Sequence, residues 1–156
     1  MPNLATSSSA EKWQPLETST FQDHVIKHVL GATVLGWIVI GDAAHLLLDV
    51  GLLWTIYVTG EMDLMAQSVA IQDLEGGDVS RADILQFESD AQKLKSEGRE
   101  ATGLARLTAA PVECAITGVA LFSRNSERRI MIEGEQANIE ILTDLEKSEL
   151  IINSEN

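Results

Sequence analysis

The fold is decided by residues 29–58, which read VLGATVLGWIVIGDAAHLLLDVGLLWTIYV. No lysine or arginine occurs between Lys27 and Arg81. A membrane-spanning helix needs about 20 apolar residues in succession. The longest uncharged piece here, residues 29–41, is shorter than that and ends at Asp42, a carboxylate that is costly inside a bilayer. The run therefore predicts the buried core of a soluble protein.

Period-two patterning within this run predicts β-strands. From Leu52 to Thr59, the even-numbered residues are Leu, Trp, Ile and Val, and the odd-numbered residues after Leu53 are Thr, Tyr and Thr. This alternation indicates one packed face and one semi-polar face. Glycine and aspartate residues mark turns on either side of the middle strand. We expect an antiparallel meander of three strands: Leu35–Ile40, His45–Leu48 and Leu52–Thr59.

Length and charge restrict the class of protein. The 156 residues suit one domain with a real core, and the 24 acidic against 11 basic residues give a net charge of −13. Affinity for nucleic acid and for anionic membranes comes largely from Lys and Arg. We therefore expect neither nucleic acid nor a membrane surface as a partner.

The compartment is inferred from targeting signals and cysteine usage. The N-terminus lacks a basic region followed by an apolar stretch, so no secretory signal is expected. The single cysteine excludes an intrachain disulfide and a cysteine-ligated zinc site. A reducing cytoplasmic location follows as the expectation.

The N-terminal segment and the first helix have different patterns. Residues 1–19 are rich in Ser, Thr, Asn and Pro, and we expect a largely disordered lead from which Trp13 and Leu16 pack on the domain. Residues 20–150 form the single domain. Its first helix begins at Ser19 with Gln22 in capping-box spacing and ends near Gly31, with an apolar stripe. The stripe comprises Phe21, Val25, His28 and Val29.

The middle of the chain contains an ambiguous segment and a clear helix. Met62–Leu74 fits either a strand over Ser68–Leu74 or a helix, and the strand is preferred. A second helix begins at Ser80 with Asp83 as a capping signal and ends at Gly98. Its apolar seam consists of Ile84, Phe87, Ala91 and Leu94.

The C-terminal third predicts three more strands. These are Val112–Ser123, Arg128–Glu133 and Ala137–Thr143, followed by a charged tail from Asp144 that frays or forms a short helix. The order of helix, strands, helix and strands predicts an α+β fold. We expect a two-layer domain with an antiparallel meander sheet and two main helices packed on one face.

Metal and nucleophile motifs are incomplete. His24 and His28 are four residues apart on one helix face, but Val25 stands where zincin-type sites have glutamate and no third ligand is evident. Cys114 lies in a predicted strand without the context of a reactive thiol, so an inert buried thiol is favoured. Asp73, Glu75 and Asp78 do not match the calcium-loop spacing, because Asp78 and Ile84 occupy the positions that need Gly and Glu. No cofactor or metal is expected.

One basic cluster and a few aromatic residues remain as candidates. Arg124, Arg128 and Arg129 lie at a predicted hairpin. This cluster could hold a carboxylate or phosphate ligand, or form an interface with an acidic patch of another copy, although pairing with Glu127 is the simpler interpretation. Tyr57, on the more polar strand face, is more accessible than Trp37 or Trp54.

Two functions follow from these patterns. The first is a non-enzymatic interaction or structural module that acts as a homodimer, because strands such as Leu46-Leu47-Leu48 are apolar on both faces and two helices would not cover such a sheet. The second is a small-molecule-binding or enzymatic domain with a pocket between the first helix and the sheet. The polar groups of that pocket would come from His24, His28, Tyr57 or Arg128.

Overall fold

The computed structural model describes residues 12–75 and 81–155, and it describes their side chains except at 72–75, 99, 111–114 and 155. Three α-helices, one 3-10 turn and nine strands occur in this part of the chain. The helices are α1 (Thr20–Val29), α2 (Gln67–Glu75) and α3 (Arg81–Glu97). The strands are β1 (Gln14–Leu16), β2 (Thr33–Ile40), β3 (Ala43–Leu48), β4 (Leu52–Tyr57), β5 (Met62–Ala66), β6 (Thr108–Arg124), β7 (Glu127–Gly134), β8 (Asn138–Asp144) and β9 (Glu149–Glu155).

The strands form one antiparallel sheet in the order β5-β4-β3-β2-β6-β7-β8-β9, and β1 also pairs with β6. The predicted meander is confirmed as β2, β3 and β4. The 17-residue β6 joins the two halves: its first part pairs with β2 and its second part pairs with β7. The fold is therefore mixed α and β with a large antiparallel sheet, as the sequence predicts at that level.

Two core clusters lie on opposite faces of the first half of the sheet. Leu46 and Leu48 of β3 belong to one cluster, while Leu47 between them belongs to the other. The first cluster also receives inward residues of the C-terminal strands, among them Ile130, Ile139 and Ile141. Successive side chains of a strand point to opposite faces, so β3 is buried on both sides.

The expected placement of the helices and the two-layer arrangement are not confirmed. Val25 and Val29 of α1 pack in the first cluster, whereas Phe87 and Leu94 of α3 pack in the second. Because these clusters occupy opposite faces of β3, the two main helices do not share one face. The periodicity of a helix fixes its own buried stripe but does not say which side of a sheet receives it.

Two local expectations are wrong. Ser68–Leu74 is helical and lies within α2, after a five-residue strand β5. The tail does not fray after Asp144, because Glu149–Glu155 pairs with β8 along its whole length. Both segments are short and weakly periodic, so tertiary pairing and packing decide their conformation.

Both ends of α1 follow the sequence signals. The side chain of Ser19 accepts a hydrogen bond from the Gln22 amide, and the Gln22 side chain accepts one from the Ser19 amide. Gly31, which follows the helix, has a φ of 89° that favours glycine. The stripe differs in detail, since Val25 and Val29 are buried but Phe21 and His28 are exposed.

The described part of the lead, residues 12–19, is anchored at β1. Gln14–Leu16 pairs with Ser123–Leu121 of β6, and Trp13 lies beneath the guanidinium of Arg124 at 4.2 Å from its ring centroid. The packing expected of Trp13 thus takes the form of a cation–π contact. Disorder of the lead stays a prediction for residues 1–11, which lie outside the described residues.

Asp90 fixes the connection between α3 and β6. Asp90 is 1% exposed, and its carboxylate accepts hydrogen bonds from the amides of Ala105 (2.9 Å), Leu107 (2.8 Å) and Arg106. Burial alone would raise the pKa of Asp90, but the three amide donors lower it below its usual value. The ionised carboxylate therefore holds the start of β6 against the helix.

Substitution of Gly36 tests the close approach of β2 to α3. A Cβ at Gly36 would lie 2.6 Å from the Thr108 carbonyl oxygen and 2.8 Å from Leu94 Cδ1. We expect Gly36→Ala to lower the free energy of unfolding by about 1–3 kcal/mol, measured by urea denaturation. The matched control is Gly118→Ala, whose Cβ meets only the mobile end of Glu133, and it should cost less than about 1 kcal/mol. Equal losses in the two variants would contradict the steric argument.

Asp90→Asn tests the buried carboxylate. We expect a loss of about 2–3 kcal/mol at pH 7, since three amides lose a charged acceptor. The pKa of Asp90 is lowered on folding, so its contribution is complete above the unfolded value near 3.9 and is lost as the pH falls through the folded value. The difference in unfolding free energy between wild type and Asp90→Asn, measured by urea denaturation, should accordingly become smaller below about pH 4. The control is Glu88→Gln, an exposed change on the same helix, whose unfolding free energy should differ little from that of wild type.

Candidate functional site

A cavity of about 340 Å³ lies between α1 and the edge of the sheet. Val25 and Val29 anchor α1 on the core, so the flank of the helix that carries His24 and His28 faces β4 and β5. The apolar side of the cavity is formed by Phe21, Val25, Leu52 and Leu64. This cavity lies where the sequence predicts a pocket between the first helix and the sheet, and its walls are mainly apolar. Its role in binding stays a prediction.

A second cavity of about 300 Å³ adjoins the first at Phe21, which lines both. Here the polar groups are Gln22 of α1, Tyr57 of β4 and the carboxylates Glu61 and Asp63. The amide of the Gln22 side chain donates to the Gly60 carbonyl at 2.8 Å, which ties α1 to the β4–β5 turn. The two cavities together form a groove along α1, which we call the α1 groove.

A third cavity of about 160 Å³ lies on the face of β3, β4 and β5 that is turned away from α1. Tyr57 and Asp63 line this cavity as well as the second, so they stand where the two spaces meet. Its floor contains His45, whose Nδ1 lies 2.9 Å from Thr55 Oγ1. Ala70 of α2 closes one side. We call this space the polar pocket.

The edge strand β5 borders the α1 groove. The Tyr57 amide donates to the Glu61 carbonyl at 2.8 Å, so Glu61, Asp63 and Met65 are the residues whose backbone groups face β4. Alternation in an antiparallel pair then directs the backbone groups of Met62, Leu64 and Ala66 away from β4. Within residues 12–75 and 81–155, no other strand pairs with β5.

The two groove histidines do not form a metal site in the described structure. His28 Nδ1 lies 2.9 Å from the His24 carbonyl oxygen, and the two rings are 4.5 Å apart. No group of three possible ligands was found among the described residues. Both side chains are exposed at the rim of the groove.

Three of the four predicted pocket residues lie along connected cavities, but Arg128 does not. His24, His28 and Tyr57 line the α1 groove. Arg128 belongs to the β6–β7 hairpin, where its Nη1 donates to the carbonyl oxygens of Asn125 (3.1 Å) and Glu127 (2.9 Å). Its expected contribution to a pocket with Tyr57 therefore finds no support in the geometry.

The other hairpin arginines are engaged within the chain. Arg124 pairs with Glu127 at 2.9 Å, which is the local partner that the sequence indicates. Arg129 pairs with Glu140 across the β7–β8 pair at 2.6 Å. The interface role of Arg124, Arg128 and Arg129 stays a prediction, and any partner would have to compete with these bonds.

Sequence reasoning missed the polar pocket. Burial lowers the pKa of His45 to about 4, so this imidazole is neutral at pH 7. Burial raises the pKa of Tyr57, and the hydrogen bond to Asp63 Oδ2 (3.1 Å) together with nearby carboxylates raises it further. The only signal was that His45 directly precedes three leucines and that Thr55 lies on the same face of the next strand. Recognising that shared face requires the strand register.

Two sets of candidate residues lie outside the described part of the molecule. The side chain of Cys114 is not described, so its inert character stays a prediction. The side chains of Asp73 and Glu75 and the whole of Asp78 are likewise outside the described residues.

Comparison with known proteins gives no relative. No family model, no curated protein and no solved structure matches this chain. Among the helices of the described residues, none is both long and apolar enough to cross a membrane.

The pH dependence of stability tests the burial of neutral His45. Folding lowers its pKa from 6.5 to about 4, so the unfolded chain takes up a proton first as the pH falls. Its contribution to stability is complete above about pH 6.5 and falls between pH 6.5 and 4, by up to about 3 kcal/mol. We expect the unfolding free energy of His45→Gln to decrease less steeply than that of wild type as the pH is lowered across this window. The control His24→Gln, at an exposed site, should keep the wild-type slope, and parallel curves for all three proteins would contradict the assignment.

Proposed function

We propose that this protein is a non-enzymatic interaction module that forms a homodimer through its β5 edges. The observation that carries the proposal is an edge strand with outward backbone groups beside an apolar groove, next to a phenylalanine, Phe21, that is 54% exposed. Exposed edges of this kind pair readily with a further strand. The cytoplasm stays the expected compartment.

The composition of β5 favours it over β9, the strand at the other edge of the sheet, as the site of dimer pairing. Natural edge strands are protected by lysine, proline or other charges. The sequence of β5, Met62-Asp63-Leu64-Met65-Ala66, contains one charged residue and neither Lys nor Pro. In contrast, β9 begins and ends with glutamate and contains Asn153 and Ser154, so it carries more of the features that discourage pairing.

A second copy fits this edge by symmetry. Antiparallel pairing about a two-fold axis at Leu64 places Leu64 beside the partner subunit's Leu64, and Met62 beside the partner subunit's Ala66. All of these residues direct their backbone groups outward, so the pairing forms on the order of six backbone hydrogen bonds. Asp63 then lies beside the partner subunit's Met65, which keeps the two strand carboxylates from facing each other directly.

Charge sets the conditions for this dimer. Each copy carries a net charge of −13, so two copies repel each other over long distances. Salt screens such repulsion, with a Debye length of about 10 Å at 0.1 M. The proposed dimer should therefore strengthen as ionic strength rises, which is the opposite of an interface held by the hairpin arginines.

A second candidate function is the binding of a small molecule in the α1 groove. The adjoining cavities of about 340 and 300 Å³ favour it, since their sizes match common ligand sites. His24, His28 and Tyr57 would supply the polar contacts. A screen of small aromatic acids by thermal shift would test this function, and a hit should be lost in the His24→Gln, His28→Gln double variant. Hits that persist in the double variant would count against this site.

The decisive test of the dimer is a comparison of the oligomeric states of the Leu64→Pro and Leu64→Ala variants. Both variants lose the leucine side chain, but proline also removes the outward N–H, which is tolerated at a free edge and prevents strand addition. We expect wild type to be dimeric by size exclusion with light scattering at 0.3 M salt, and Leu64→Pro to be monomeric. Leu64→Ala should remain mainly dimeric at high protein concentration.

Two other results would contradict the β5 interface. A wild-type protein that stays monomeric at high concentration and high salt would remove the homodimer altogether. A dimer that survives Leu64→Pro but is lost in Arg128→Glu would place the interface at the arginine hairpin. A circular dichroism spectrum identical to wild type serves as the folding control for each variant.

A further inference from the structure

The polar pocket contains a row of hydrogen-bonding side chains that crosses three strands. His45 on β3 is paired with Thr55 on β4, and Thr55 is paired with Asp63 on β5. Paired residues share a face of the sheet, so these three side chains lie side by side. Tyr57 extends the row by donating its hydroxyl to Asp63 Oδ2 at 3.1 Å.

The pocket has a buried floor and a partly exposed mouth. His45 and Thr55 are each 8% exposed, and Leu53 and Ala70 are buried beside them. Tyr57, Asp63 and Met65 are partly exposed, so they form the side open to solvent. A volume of about 160 Å³ equals the share of about five water molecules in the liquid, which suits a small ligand.

The charge in the pocket is negative and not neutralised within the described chain. Among the lysines and arginines whose side chains the structure describes, a set that does not include Arg99, none forms an ion pair with Asp63. Its described partner is the neutral hydroxyl of Tyr57, which leaves the carboxylate charge in place. Asp42 and Glu61 lie close enough to influence Tyr57 and add to the negative potential. A cation at Asp63 would therefore gain attraction from three carboxylates.

The walls restrict the shape of that cation. Leu53 and Met65 lie next to Thr55 and Asp63 on the same face of the sheet, and together with Ala70 of α2 they supply an apolar surface beside the polar row. A hydrated metal ion would leave this surface without a partner. An ammonium group on a short alkyl chain satisfies both sides, because the ammonium binds Asp63 and the Thr55–His45 pair while the alkyl chain covers the leucine and methionine.

We propose that the polar pocket binds a small primary amine in its protonated form, with Asp63 as the counter-ion and the alkyl chain against Leu53, Met65 and Ala70. The pocket lies on the opposite face of the sheet from the apolar part of the α1 groove and shares Tyr57 and Asp63 with the polar part of that groove. It adjoins the proposed β5 dimer edge, because Asp63 and Met65 belong to β5. The ligand class is defined by one positive charge, ammonium donors and a chain of about four carbon atoms, the length that the volume accommodates.

The first test uses n-butylammonium chloride as the probe on the full-length protein. Two probes of the same length serve as controls: 1-butanol lacks the charge and sodium butyrate reverses it, with sodium chloride holding ionic strength constant. We expect n-butylammonium to shift the NMR signals of the His45 ring and the Met65 methyl group in a saturable manner. Neither control should do so at the same concentration. Equal shifts with 1-butanol, or no shift with the amine, would overturn the proposal.

Three variants locate the binding. Asp63→Asn removes the charge but retains an oxygen that accepts the Tyr57 hydrogen bond, and it should weaken n-butylammonium binding at least 10-fold. Ala70→Leu fills the pocket without a change of charge and should also abolish binding. Asp42→Asn removes a nearby charge that does not line the pocket and should weaken binding less than threefold. A loss in Asp42→Asn equal to that in Asp63→Asn would indicate attraction by the whole acidic surface and would overturn the site.

Discussion

The burial of β3 on both faces is the constraint on which the rest of the structure depends. Leu46, Leu47 and Leu48 are fully buried, and they alternate between the two cores. A strand with leucine on both sides requires cover on both sides, because each exposed leucine would leave apolar area in water. The helices α2 and α3 supply that cover on one face, and α1 with the C-terminal strands supplies it on the other.

The same constraint explains where the cavities lie. Cover is complete over β3 at the centre of the sheet and thins towards β5 at its edge, where α1 leaves the groove and α2 leaves the polar pocket. Both spaces therefore border the same two strands, β4 and β5. Tyr57 and Asp63 connect them, since each side chain lines a cavity on either side of the edge.

Elements with a strong local signal could be predicted from the sequence. The meander was predictable because alternation and turn residues act within a few positions, and α1 was predictable because Ser19 and Gln22 form a capping box. The face on which each helix packs was not predictable, because it depends on contacts between distant segments. The pairing of β9 was missed for the same reason, since its charged ends resemble a solvated tail.

The candidate site was predictable only in part. The four-residue spacing of His24 and His28 placed both on one side of α1, and that side proved to border the groove. The position of Asp63 gave no signal in the sequence, because it depends on the strand register that sets Asp63 beside Thr55 and within reach of Tyr57. The distance of Arg128 from Tyr57 could not be predicted, because it depends on the strand order, in which the hairpin of Arg128 lies far from β4.

The double pairing of β6 has a consequence for how the chain folds. Val34 on β2 is partnered with residue 114, and Leu16 on β1 is partnered with Leu121, so these pairs close very long stretches of chain. Closing long loops costs entropy before any contact repays it, and folding slows as such non-local contacts increase. The meanders β2–β3–β4 and β6–β7–β8–β9 can form early from local contacts, since Arg124 on β6 is paired with Glu127 on β7 across a short turn. We expect the pairing of the first part of β6 with β2 to be the late event, and until it occurs β2 and that part of β6 each expose an unpaired edge.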